Sequence, residues 1–223
     1  MNSLTLTWFG HAAFLLEAGG VRILLDPYKT PDVGGYAPIE TDADIVLVSH
    51  LNPKYHSHWD AAAGMPLRLN GLDFADSPQS VAALGIDFKA IKVWESPAHD
   101  VPVSMPYFDM AGLSFCHSGD LGDILTEAEV VPIRGVDIFL AVAGGPPTLP
   151  IADLKTVIDL IQPRIVIPMH YQNGKVNLSL RPVDDLLAQF APSQIVYHPS
   201  PTLELSSEML PSETKVFVLP SAR

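Results

Sequence analysis

Positive charge is scarce in this chain: 13 Lys and Arg stand against 25 Asp and Glu, a formal charge of −12. Such a surface repels phosphate-rich partners, which argues against nucleic acid and against an anionic membrane. Cysteine is nearly missing. With Cys116 alone no intrachain disulfide can form, which suits a reducing compartment. Long apolar runs are lacking too, none approaching the ~20 residues of a membrane span. Residues 1–25 show no basic segment followed by an apolar core and a small-residue cleavage site. A soluble, cytoplasmic protein is expected. There is no internal repeat, low-complexity tract or obvious linker, so a single α/β domain over 1–223 is the simplest expectation.

What is present is a series of short apolar runs punctuated by 21 prolines and 15 glycines. Residues 4–9 alternate as a strand does; Phe14 to Glu17 and Val21 to Leu25 flank Gly19-Gly20, a hairpin signal. Residues 28–43 are rich in Pro, Gly and Asp and read as a long loop, of the kind that often carries function. Ser77-Pro78 reads as a helix start and Gly85 as its close. Further strands are expected at Phe88 to Trp94, Leu113 to Cys116, Val136 to Val142, Arg164 to Ile167, Ile195 to Tyr197 and Lys215 to Leu219. Ile151, Leu154, Val157, Ile158 and Ile161 have the spacing of an amphipathic helix, and Val183, Leu186, Leu187 and Phe190 suggest another.

The strands share a habit. Buried runs empty into a polar residue able to bind metal: Asp26, His50, His99, Asp120 and His170. One such residue is commonly a turn former or a satisfied imidazole. Five strand ends repeating the pattern point to one site, because strands of a sheet can deliver their ends to a common edge. The densest stretch runs from Asp44 to Asp60, where the run Ile45 to Val48 leads into His50, Asn52, His56 and His58. Mixed imidazole and carboxylate ligands suit zinc, manganese or iron.

In order along the chain, W-F-G-H-A-A-F (8–14), L-L-D-P (24–27), V-S-H (48–50), P-A-H (97–99), H-S-G-D (117–120) and I-P-M-H (167–170) resemble the metallo-β-lactamase superfamily. The likeness is greatest to its ascorbate-6-phosphate-lactonase-like and N-acyl-phosphatidylethanolamine phospholipase D-like hydrolases. It spans residues 6–171 and implies an αββα sandwich, two mixed β-sheets flanked by helices, with a metal site along one edge. The central motif departs from the family's His-x-His-x-Asp-His. His50 matches its first position, but Asn52 stands at the second, and His56 fits the last only with a one-residue insertion that leaves Lys54 near the metals. A second register, over His56-Ser57-His58-Trp59-Asp60, requires the strand to continue past Pro53, which would cost a ladder donor.

In the first register the resemblance makes His50 and His99 ligands of one metal, His56 and His170 ligands of another, and Asp120 the bridge. His11, Asp26 and Asn52 are then expected to line the site or to orient the ligands. Asp120 is the expected catalytic residue, holding a metal-activated water. His117 is expected to face away, while His198 and Cys116 are expected to be structural. The implied cofactor is one or two divalent ions, Zn or Mn. The implied reaction is hydrolysis of a lactone, ester or phosphodiester in a small, anionic substrate. The altered motif leaves open a second reading, in which the fold has lost its metal and serves as a binding module.

Overall fold

The computed structural model describes residues 3–223. In chain order its strands are β1 (Leu4–Gly10), β2 (Ala13–Ala18), β3 (Val21–Leu25), β4 (Thr41–Asp42), β5 (Ile45–Val48), β6 (Ala62–Ala63), β7 (Leu67–Asn70) and β8 (Val81–Ala83). There follow β9 (Ile86–Trp94), β10 (Pro102–Met110), β11 (Leu113–His117), β12 (Ile138–Val142), β13 (Ile165–Met169), β14 (Ile195–Tyr197), β15 (Thr202–Leu205) and β16 (Lys215–Val218). Helix α1 (Glu127–Val130) precedes β12, α2 (Ile151–Ile161) precedes β13 and α3 (Asp184–Leu187) follows it.

Two mixed sheets face each other. One has the order β15-β1-β2-β3-β5-β7, the other β14-β16-β13-β12-β11-β10-β9-β8, and β4 pairs with β6 apart from both. Alternation in β1 and β2 turns Leu4, Leu6, Trp8, Phe14 and Leu16 inward, where they share a core with Phe88, Val103 and Phe115 of the facing sheet. The other face of the first sheet, with Leu15, Leu24, Val46 and Val48, is covered by Tyr28, Val33, Tyr36 and Ile39. The Pro- and Gly-rich loop of residues 28–43 therefore serves as a covering layer.

Helical cover is thin, and α2 is the one helix longer than four residues among those described. It buries Leu154, Val157, Ile158 and Ile161, the i, i+3, i+4, i+7 stripe, and stops at Gln162 in the left-handed region. These features make an α/β sandwich of two mixed sheets, with fewer flanking helices than the expected αββα layering.

One expected element is corrected. Residues 77–85 form no helix: Val81–Ala83 pairs antiparallel with Ile86, Asp87 and Phe88. Leu84 and Gly85 both have positive φ, 49° and 80°, which is the geometry of a two-residue hairpin turn. The Ser77 hydroxyl only accepts from the Gln79 N–H in a local turn. Gly85, read as a helix stop, is a hairpin residue.

The topology fixes where chemistry can happen. β3 and β5 run parallel in one sheet, and β11, β12 and β13 run parallel in the other. Their C-terminal ends meet at one rim of the sandwich.

Candidate metal centre

At that rim β1 ends in His11, β3 in Asp26, β5 in Ser49-His50, β11 in the turn to Asp120, and β13 in His170. His11, Asp26 and His170 take left-handed φ values of 49°, 39° and 55°. Non-glycine residues adopt these rarely, and such strain gathers at functional sites. The His11 carbonyl accepts from the Trp8 indole N–H at 3.1 Å and from the His170 N–H at 3.0 Å, which ties the two sheets together.

Asp26 organises one side. Its Oδ1 accepts from the Ser49 N–H and its Oδ2 from the Ser49 hydroxyl, both at 2.6 Å. Its Oδ2 also lies 3.0 Å from His56 Nδ1. With its hydrogen committed to Asp26, the Ser49 hydroxyl can only accept from His50 Nδ1, 3.0 Å away. Both imidazoles are thus held with Nδ1–H pointing backward and Nε2 pointing at Asp120, the tautomer that metal ligation through Nε2 needs. His56 Nε2 sits 2.9 Å from Asp120 Oδ2 and His50 Nε2 sits 4.0 Å from the same oxygen. His170 Nε2 is 3.5 Å from Asp120 Oδ1. The His56 contact is close but poorly aligned, so it is an ion pair rather than a good hydrogen bond, and Nε2 has no hydrogen-bond partner.

The turn that carries His56 inward is closed by the backbone carbonyl of Asn52, which accepts from the N–H groups of Tyr55, His56 and Ser57. On the other sheet Gly119 must be glycine: its φ is +54°, and a Cβ would lie 2.7 Å from the Ser104 carbonyl oxygen. Its N–H donates to His117 Nδ1 at 2.9 Å, so His117 carries its proton on Nε2 and donates to the Ala12 carbonyl at 3.0 Å. His117 braces the Asp120 turn against the β1–β2 connection.

The charges are strongly coupled. Burial works against an ionised Asp120, yet the imidazoles of His56 and His170 outweigh it and hold the carboxyl well below its usual range. Asp26 is likewise lowered against the effect of burial by its neighbouring imidazoles and the His56 bond. His56, also opposed by burial, is raised to about 10 by Asp120 and Asp26. Burial, reinforced by neighbouring imidazolium charge, lowers His50, His170 and most strongly His11. A cation placed here would therefore displace protons chiefly from His56.

Two sets of three donors lie within 4.8 Å of one another: His50, His56 and Asp120, and His11, His56 and His170. Of the expected ligands the structure gathers His50, His56, Asp120 and His170. It does not gather His99. That residue lies in the β9–β10 connection, with β10 and β9 stacked outward from β11, and strands of a sheet are ~4.8 Å apart. Its Nε2 instead meets Asp123 Oδ2 at 2.9 Å, and its ring lies flat on Trp94. Lys54, expected near the metals, is exposed, and His58 stays outside both donor sets. Asn52 enters through its backbone, no side-chain hydrogen bond tying it to the cluster. His117 is buried and turned into the rim, against the expectation that it faces away. Ser49 carries no signal in the sequence beyond its place between the strand and His50.

The sequence profile of the beta-lactamase superfamily domain matches residues 5–170. A UPF0173 protein of Pyrococcus abyssi is 31% identical over 186 residues, covering 75% of this chain and 83% of the relative. A UPF0173 metal-dependent hydrolase of Nitratidesulfovibrio vulgaris is 28% identical, covering 91% and 97%. Among solved structures, a chain assigned as a Zn-dependent hydrolase of the metallo-β-lactamase superfamily from Thermotoga maritima aligns with a TM-score of 0.75. It is 31% identical, with 97% of this chain and 98% of that one covered. The chain belongs to the beta-lactamase superfamily.

Proposed function

We propose that this chain is a metal-dependent hydrolase that cleaves a lactone, ester or phosphodiester bond in a small anionic molecule, with Asp120 as its central catalytic residue. One observation carries the proposal. Asp120 Oδ1 and His56 Nε2 are buried polar atoms without hydrogen-bond partners, and His170 Nε2 lies 3.5 Å from that Oδ1 at the same rim. Buried polar groups are normally satisfied, so donors left open beside one another fit a cation. The nitrogen and carboxylate donors suit Zn or Mn, which Asp120, His56 and His170 would hold together with a further imidazole of the rim. The hydrolase names of its relatives point the same way.

A divalent ion bound there would supply a water whose pKa falls from 15.7 towards ~7 and would polarise the carbonyl or phosphoryl oxygen under attack. The rest falls to the chain. Asp120 orients the water and accepts its proton. Asp26 and Ser49 keep His56 and His50 in the tautomer that faces Asp120, and the depth of the rim excludes bulk water. An anionic substrate approaching so acidic a surface needs a local positive centre, and a cation here would give one. A cytoplasmic setting is part of the proposal, supported by the free, buried Cys116. Among the described residues no helix is long and apolar enough to cross a membrane.

The test is a panel of sugar-phosphate lactones, phosphodiesters and simple esters assayed with added Zn²⁺ or Mn²⁺. Turnover that EDTA and Asp120→Asn both abolish supports the proposal. The position of His99 and the Asn at 52 favour one other reading, a binding module without catalysis. Protein that purifies without metal and is inert across the panel would establish that alternative.

A further inference from the structure

His11 is the anomaly of the rim. It is 1% exposed, and neither Nδ1 nor Nε2 has a hydrogen-bond partner. Its buried neighbours differ: His50 has Ser49, His56 has Asp26, and His117 has both Ala12 and Gly119. An imidazole stripped of water and given nothing in return is costly to bury. Nor is it loosely placed. Its carbonyl takes two donors, and the preceding Gly10 has φ +117° and leaves no room for a Cβ beside the Tyr36 ring. The strained turn holds the His11 ring 4.2 Å from that of His170 and 5.1 Å from that of His56, centroid to centroid.

His56 limits what the centre can hold. It belongs to both donor sets, but its Nδ1 is committed to Asp26, so it offers a single lone pair through Nε2. The His11–His170 side and the His50–Asp120 side therefore compete for one nitrogen, and one ion uses it at a time.

We propose that His11 is a direct ligand, completing a three-imidazole set with His56 and His170 that binds one divalent ion. In this role it stands in for the imidazoles that position 52 lacks and that His99 does not deliver. The assignment rests on the metal-dependent reading and places His50 at the margin of the centre. Asp120, between His56 and His170, remains beside the ion.

The experiment titrates EDTA-stripped protein with Co²⁺, read by visible absorption, and with Zn²⁺ in competition. Wild type is compared with His11→Asn and His50→Ala. Asparagine tolerates the left-handed backbone that His11 requires, so that variant is the one expected to keep the fold, as checked by circular dichroism. Expected are one Co²⁺ per wild-type chain and an affinity loss of about 100-fold or more in His11→Asn, beyond what losing an outer partner usually causes. Its ligand-field bands should shift, while His50→Ala loses less affinity and keeps the bands. X-ray absorption at the metal edge of the wild type needs no variant and should count three imidazoles. Wild-type binding of one ion with two imidazoles, or an unchanged affinity and spectrum in His11→Asn, overturns the assignment and leaves the hydrolase reading standing. No binding of either metal by wild type would instead overturn that reading, and this assignment with it.

Discussion

Two histidines of this molecule make nearly the same contact in opposite surroundings. His56 meets Asp26 at 3.0 Å and Asp120 at 2.9 Å, with all three side chains at most 7% exposed. His99 meets Asp123 at 2.9 Å, but its side chain is 50% exposed and that of Asp123 41%. Charge at the first place is felt across a low-dielectric rim, so His56 is raised to about 10 while Asp120 drops well below its usual range. At the second place water competes with every contact, and Asp123 is lowered mainly by the His99 hydrogen bond. A short distance between imidazole and carboxylate therefore says little about function by itself. What separates the two is whether further groups behind the pair fix its orientation and whether water is kept out.

Substitutions can break this contrast, and the largest effect belongs to its centre. Asp120→Asn should lower turnover by about 10²–10⁴-fold, to the background of the assay, with the circular dichroism spectrum unchanged. Asp26→Ala should come next, because it leaves the Ser49 N–H, the Ser49 hydroxyl and His56 Nδ1 without their acceptor. Removing one member of a buried charged network costs about 3–5 kcal/mol, readable by urea unfolding of metal-free protein. The matching change on the open side, Asp123→Ala, should alter stability by no more than about 1 kcal/mol. If the two aspartates proved equal, the rim would be wetter than its burial implies.

Much of this architecture is legible in the residues, because buried parallel strands read as short β-branched runs and the polar residue after each run is conspicuous. Asp26, His50, Asp120 and His170 are found that way. His56 also emerges from the sequence, through the awkwardness of Pro53 within a strand. What stays hidden depends on sheet order. His99 comes five residues after the end of β9, where His170 follows β13 directly, and nothing local tells that β9 lies two strands out from β11. The hairpin at Leu84-Gly85 is hidden for another reason: Ser-Pro followed by glycine fits a helix start and stop until pairing with β9 supplies a better partner for the backbone. Ser49 and His117 are tied into the rim by contacts with residues 23 and 105 positions away, a relation no window along the chain contains.

The smallest expected effects test the same contrast from the open side. His99→Ala and His58→Ala should each leave metal stoichiometry and affinity within about twofold of wild type, since ligand loss acts through the first coordination sphere and neither residue belongs to a donor set. His99→Ala removes a ring stacked on Trp94 at 5.0 Å, a contact that is half open to water. The measurement is competition against a chromophoric chelator, run beside His56→Ala as the positive control. Carbethoxylation by diethyl pyrocarbonate gives an independent view. The exposed His99 should react quickly, while His11, His50, His56, His117 and His170, none more than 5% exposed, should react only as the fold opens. A metal affinity that fell with His99→Ala as steeply as with His56→Ala would mean that the β9–β10 connection folds over the rim when a cation binds. The two halves of the comparison would then be a single site seen in its open arrangement.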